Sequence, residues 1–316
     1  MGNRCIYSLF DLLCNNQWAR FQARRTGTSS PLGELFDHGC DALNCSFAAV
    51  LQATALGMGH SMSSIMLYSI AMLGFYLSTA EEYHTGILYL GYVNAPTEGV
   101  ILSCIIFTIS SIYGPSVWQN PVGETIKASW LPTTIATLPW SQALVWWVGL
   151  LLIFTHCPVC FYAMYKACRA HNKPFLKTMV MENLPIATYV ASFFFWVTSP
   201  YSFILTNHHF ILFAITTGIV FGRMATKIIL AHLTKSTFPK FTVLMIPLIG
   251  GAIITNLPRL NFISPIFTAE SEFLYISGFF VFALLAYLRW AVVVINSFCS
   301  YLNIRCLVIP KQTKAL

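Results

Sequence analysis

Eight apolar stretches, each close to the roughly 20 residues that a helix needs to cross a hydrocarbon core about 30 Å thick, recur along this sequence of 316 residues. They fall near 40–59, 61–79, 99–115, 143–165, 178–198, 207–222, 241–257 and 273–298. No water in a bilayer core satisfies exposed peptide groups, so stretches of this length form helices whose hydrogen bonds close internally. The expected fold class is all-α, a polytopic integral membrane helix bundle of about eight transmembrane helices. Composition agrees: 56% of residues are hydrophobic, 9% are charged, and mean hydropathy is +0.66, against about 25% charged in soluble domains. Residues 5–14, CIYSLFDLLC, are too short to cross and read as an N-terminal stub, either the tail of a span or a re-entrant piece. No small-residue cleavage site follows them, which argues against a signal peptide.

Orientation follows from the cations, because Lys and Arg are retained on the cytosolic side. With residues 19–41 cytosolic, that face collects Arg20, Arg24, Arg25, Lys166, Arg169, Lys173, Lys177, Arg223, Lys227, Lys235, Lys240, Arg305, Lys311 and Lys314, whereas the opposite loops hold Lys127 and Arg259. The net charge of +7 is therefore a topology signal suited to an anionic leaflet and does not indicate nucleic-acid binding. The ten cysteines are scattered, half of them inside spans where a thiol acts as a small apolar group. Cys157 and Cys160 form a CPVC, but no second pair lies at zinc-ribbon spacing, so no metal or redox role is expected of them. Without a repeat or low-complexity tract, residues 1–316 read as one membrane domain.

One segment breaks the apolar pattern. Residues 21–44, FQARRTGTSSPLGELFDHGCDALN, place Asp37 and Asp41 four residues apart at the mouth of an apolar run. On a helix beginning near Gly33 both carboxylates project from one face, where like charges repel. Charge at membrane depth is costly and calls for a partner. Oxygen donors with little nitrogen or sulfur nearby suit Mg²⁺ or Mn²⁺, ions that commonly also bind substrate phosphate. Arg24 and Arg25 supply fixed positive charge for phosphate oxygens, and Gly33 permits close approach of a ligand. The other reading is an ordinary loop capped by Thr28 or Ser30, with the carboxylates favourably placed in the first turn of the next helix. Spacing alone leaves both open.

The string ARRTGTSSPLGELFDHGCD resembles the signature of the CDP-alcohol phosphotransferase family, DGxxARx8GxxxDxxxD, matched here by Ala23, Arg24, Gly33, Asp37 and Asp41. EEYHTGILYLGYVNAPTEG (81–99) and FGRMATKIILAH (221–232) are similar to later segments of the eukaryotic choline and ethanolamine phosphotransferases, so the likeness runs through most of the chain. The resemblance implies transfer of phosphocholine or phosphoethanolamine from CDP-choline or CDP-ethanolamine to diacylglycerol, releasing CMP, in a membrane of the endoplasmic reticulum or Golgi. It implies Mg²⁺ or Mn²⁺ held by Asp37 and Asp41, substrate contacts at Ala23, Arg24 and Gly33, and a homodimer. It assigns the general base either to Asp41 or to a histidine paired with a glutamate, here His38 and Glu98. No motif separates choline from ethanolamine.

Other polar residues carry weaker expectations. Glu81, Glu82 and His84 are expected to form a solvated loop after the span at 61–79 rather than a head-group contact. His208, His209 and Arg289 are expected to anchor at the interface or pack between helices.

The family pattern also requires DxxDG before the Ala-Arg pair. At strict spacing this chain has Asn16, Ala19 and Arg20 there. A gapped reading retains Asp11 as a metal ligand, with Cys14 and Asn15 standing where Asp and Gly belong. Family members usually have about ten spans, so eight plus a stub implies loss of the first and most of the second. A replacement this local, flanked by family-like sequence, is what an altered gene model would leave. With two ligands gone a divalent ion binds loosely, and the expectation is little or no transferase activity. The alternative is an impaired homologue that binds lipid or a partner; a transporter ranks below both, since no inverted repeat is visible.

Overall fold

Each of the eight apolar stretches becomes a helix in the computed structural model, which describes residues 31–86, 99–127, 130, 132–260, 263–304 and 306. They are α1 Pro31–Ala55, α2 Met62–Thr85, α3 Val100–Tyr113, α4 Trp140–Ala170, α5 Phe175–Val197, α6 Phe210–Leu233, α7 Met245–Asn256 and α8 Ala269–Leu302. Helices α2, α4, α5, α6 and α8 are long and apolar enough to cross a membrane; α3, and α7 with its extension to Leu260, are shorter apolar helices. This is a polytopic, integral membrane protein. Single helical turns at Pro115–Gln119, Val122–Thr125 and Thr133–Ala136 fill the connection from α3 to α4.

Helix α6 is the centre of the bundle and packs against α1, α2 and α8. Small residues let α1 come close: a methyl group at Gly218 would lie 2.3 Å from Ser46 Oγ, and one at Gly222 would lie 2.5 Å from Leu43 Cδ2. Gly39 of α1 reciprocates, with Thr226 of α6 directly over it. Such small-residue contacts are how membrane helices associate where lipid removes the hydrophobic incentive. Polar groups in this interior are satisfied across helices. The Tyr68 hydroxyl donates to the Ala214 carbonyl at 2.9 Å, and the Tyr189 hydroxyl donates to the Thr217 carbonyl at 3.0 Å.

Helix α4 contains a π turn over Leu152–His156. Pro158 has no N–H for the Phe154 carbonyl, and the helix accommodates its ring by widening one turn. The wide turn carries His156 to α2, where its Nε2 meets the Gly74 carbonyl at 3.1 Å and Ser78 Oγ at 3.2 Å. Cys157 and Cys160 follow as free thiols.

The helices alternate in direction, so the contacts sort into two ends. One end holds the start of α1, the end of α2 and the end of α6, tied by Tyr83 donating to the Ser236 carbonyl at 2.8 Å. At the far end Glu272 is fully buried, accepting from Trp196 Nε1 at 2.8 Å, Ser202 Oγ at 2.9 Å and the Phe203 N–H at 2.6 Å. Three donors hold this carboxylate, and it in turn fixes the turn between α5 and α6. The Trp196 ring lies flat against Gly251, where a methyl group would come within 2.1 Å of it. Also at the far end, His60 sits with its ring 4.6 Å from that of His208, which has φ of 61°. His208 and His209 thus pack between helix ends, as their position in the sequence suggests.

Two predictions follow from this packing. Gly218→Ala should destabilise the purified protein by about 1–3 kcal/mol through overpacking, whereas Gly278→Ala, which meets nothing within 4 Å, should leave its thermal midpoint unchanged or raise it. Burial, then the neighbouring His208 and His209, hold His60 below its ordinary pKa. As pH falls through about 6.5 the unfolded chain takes up this proton before the folded one, so stability present above that pH declines below it. His60→Gln should flatten that decline in thermal melts run from neutral to mildly acidic pH.

Candidate functional site

The site-bearing end is built on the first three turns of α1. Pro31 opens the helix with φ already suited to it. Leu32, Leu35, Gly39 and Ala42 form the stripe buried within the bundle. That register leaves Asp37, His38 and Asp41 half-buried beside the buried stripe, with both carboxylates one turn apart on a helix. The helix begins two residues before Gly33, close to where the sequence places it.

The partner of His38 comes from α2. His38 Nδ1 lies 3.4 Å from Glu82 Oε2, and both side chains are largely buried. The solvated loop expected for Glu81, Glu82 and His84 is not what the chain forms. Helix α2 runs on to Thr85, and Gly86, with φ of 77°, ends it by donating its N–H to the Glu82 carbonyl at 2.8 Å. All three side chains therefore project from a helical turn into the bundle. Glu81 is buried against Cys160 and His156 of α4. His84 Nε2 meets Glu182 Oε2 of α5 at 2.5 Å, with the histidine 4% exposed. Tyr76 donates to the backbone carbonyl of the same Glu182. The charged residues lower hydropathy after 79 without ending the helix; the αL glycine at 86 marks its end.

Asp11, Ala23, Arg24 and Glu98 lie outside the described residues. Among the described residues no three His, Cys, Asp or Glu side chains converge as a metal centre. What the fold does bring together is His38 and, unforeseen from sequence, Glu82, with Asp37 and Asp41 on the same helix as His38. Two carboxylates on one helical face are hard donors that fit Mg²⁺ or Mn²⁺ when a phosphate completes the shell.

No protein-family model matches the chain. It is similar to an uncharacterized CDP-alcohol phosphatidyltransferase class-I family protein of Dictyostelium discoideum, 33% identical over 311 residues, which cover 92% of this chain and 74% of that one. The chain belongs to the CDP-alcohol phosphatidyltransferase class-I family. It is also similar to choline/ethanolaminephosphotransferase 1 of Arabidopsis thaliana, 30% identical over 97% of this chain and 77% of the relative. A choline/ethanolaminephosphotransferase of Saccharomyces cerevisiae is 34% identical over 72% of this chain and 58% of the relative. Membership in this enzyme family and the helical membrane architecture agree with the resemblance carried by residues 23–41.

The His84–Glu182 pair joins α2 to α5 behind the site. Glu182→Gln keeps the shape and removes the charge, and should cost about 1–3 kcal/mol by weakening a buried charge-assisted bond. A lowered thermal midpoint of the detergent-purified protein would register it, with Glu124→Gln, on the short turn between α3 and α4, as the neutral comparison.

Proposed function

We propose that the chain has the site for the reaction named in its choline/ethanolaminephosphotransferase relatives, and carries it out weakly at most: transfer of phosphocholine or phosphoethanolamine from a CDP-alcohol to the hydroxyl of diacylglycerol. The observation behind this reading is the α1 face bearing Asp37, His38 and Asp41, with His38 against Glu82 at 3.4 Å. Asp37 and Asp41 would hold Mg²⁺ or Mn²⁺, with Asp11 as the further ligand that the gapped alignment offers. Bound there, a divalent ion supplies charge neutralisation for the diphosphate and for the departing CMP. Arg24 is assigned to the diphosphate oxygens, and Ala23 and Gly33 to close backbone approach.

The acceptor oxygen of diacylglycerol forms a bond to the phosphorus that bears the choline or ethanolamine. The bond from that phosphorus to the bridging oxygen breaks, and its electron pair leaves with CMP. A base must take the hydroxyl proton. Glu82 facing Nδ1 favours the neutral His38 tautomer protonated at that nitrogen, with Nε2 as the basic nitrogen of the ring. Glu98 is the partner implied by resemblance, and Asp41 the other candidate base. Residues 1–316 are read as one membrane domain with the start of α1 facing the cytosol, in the endoplasmic reticulum or Golgi; the Lys and Arg distribution supports that side.

Asn16, Ala19 and Arg20 stand where the family pattern has Asp, Asp and Gly, and this favours weak turnover with retained substrate binding. Membranes carrying the full chain, given radiolabelled CDP-choline or CDP-ethanolamine, diacylglycerol and Mg²⁺, should yield little or no labelled phospholipid. The purified protein should still bind CDP-choline in the presence of Mg²⁺, at least about tenfold more weakly after Asp41→Asn. Robust Mg²⁺-dependent turnover abolished by Asp41→Asn would overturn the expectation of weak activity. Absence of binding to both CDP-alcohols would overturn the substrate assignment.

A further inference from the structure

Helix α6 carries two cations, Arg223 and Lys227, at i and i+4 and hence on one stripe. That stripe is turned away from the glycines that receive α1. It faces α8 and the segment leading into α7: Arg223 Nη1 reaches the Ala286 carbonyl at 3.5 Å, its guanidinium lies 5.5 Å from the centre of the Trp290 ring, and Lys227 Nζ donates to the Phe241 carbonyl at 2.9 Å. At a rise of about 1.5 Å per residue, the two lie roughly 20 and 26 Å along α6 from its far end. This puts them toward the head-group boundary on the site-bearing side of a core about 30 Å thick.

Neither cation forms an ion pair with a carboxylate among the described residues. Arg223 Nε is buried and has no hydrogen-bond partner among the described residues. A guanidinium has five N–H donors and an ammonium three, so most of this donor set is unspent. Two like charges at helical spacing repel, and cations at this depth are costly unless an anion joins them. The surroundings say where that anion comes from. Phe241, whose carbonyl Lys227 meets, and nearby Val243, with Val292 and Val293 just after Trp290 on α8, are about half exposed, so the chain segments that hold the two cations also present apolar surface to lipid.

We infer that Arg223 and Lys227 form a binding site for the phosphate group of a glycerophospholipid that lies against α6 and α8. The planar guanidinium, steadied by Trp290, can pair with two phosphate oxygens, and the flexible Lys227 supplies a point charge at the head-group level. Basic pockets between membrane helices bind lipid head groups in this way. The two cations are on the side of α6 that meets α8 and Phe241, whereas the proposed metal ligands are on α1, and lipid binding by the cations requires no turnover.

The test uses the full chain in an uncharged detergent, with native mass spectrometry to measure binding of dioleoyl phosphatidic acid, dioleoylglycerol and inorganic phosphate. Arg223→Gln combined with Lys227→Gln should weaken phosphatidic acid binding by about tenfold or more and leave dioleoylglycerol binding unchanged. Arg223→Lys, which keeps the charge, should retain most of it. Lys227→Gln alone, at a half-exposed position, should lose about three- to tenfold and decides the matter if the double variant does not fold. Lipid binding lost without any effect of inorganic phosphate supports a lipid source. Phosphate binding by the wild type that the variants lose supports the phosphate site with a soluble source. Unchanged phosphatidic acid and phosphate binding in variants that elute and melt as the wild type does would overturn the inference.

Discussion

The close approach of α1 to α6 governs the rest of the bundle. Gly218 and Gly222 receive Ser46 and Leu43, and Gly39 receives Thr226, so each of these side chains seats directly on a bare stretch of the facing backbone. In lipid, where apolar association gains little from excluding water, backbone proximity and the dispersion it allows become the main adhesive. It also fixes the rotation of α1 about its axis. With Leu35, Gly39 and Ala42 committed to the bundle interior, Asp37, His38 and Asp41 have no freedom to turn elsewhere. The glycines are thus far from the chemistry in sequence yet determine which way the carboxylates face.

A second constraint is the satisfaction of polar groups without solvent. Glu272 at one end and Glu182 at the other each sit behind a helix junction, the first held by three donors and the second by His84. Buried ionic groups are poor sources of net stability but good determinants of register, because a misplaced partner leaves a charge unmet. The two carboxylates therefore act as locating pins, one fixing the approach of α5 and α8 and the other the approach of α5 and α2.

Much of this architecture was legible in the sequence. Apolar length located all eight helices, since the cost of unpaired peptide groups in lipid leaves few other solutions. The Asp37 and Asp41 spacing put both carboxylates on one helical face, as found. What was not legible was three-dimensional pairing. Glu81, Glu82 and His84 looked like a loop because hydropathy falls at charged residues, whereas a helix ends where its backbone finds a cap, here at Gly86. The His38 and Glu82 contact spans two helices with no sequence relation between them. Nor does a local pattern identify Glu182 as the mate of His84, because that pairing depends on how α5 leans across α2.

The π turn in α4 has a consequence for the helix as a whole. One additional residue in that turn shifts the angular phase of everything after it by about 100° relative to an uninterrupted α-helix. Trp146, Trp147 and Leu150, before the turn, are half exposed on a lipid-facing wall. After it, Cys160, Met164 and Cys168 point inward at i, i+4 and i+8 and are buried. Both halves nonetheless face α2, with Gly149 against Ile70 and Leu152 against Gly74 before His156 reaches Gly74 and Ser78. The extra residue thus keeps one long span in register with its neighbour, and a one-residue deletion between 152 and 156 would turn Cys160, Met164 and Cys168 by about 100° off that face.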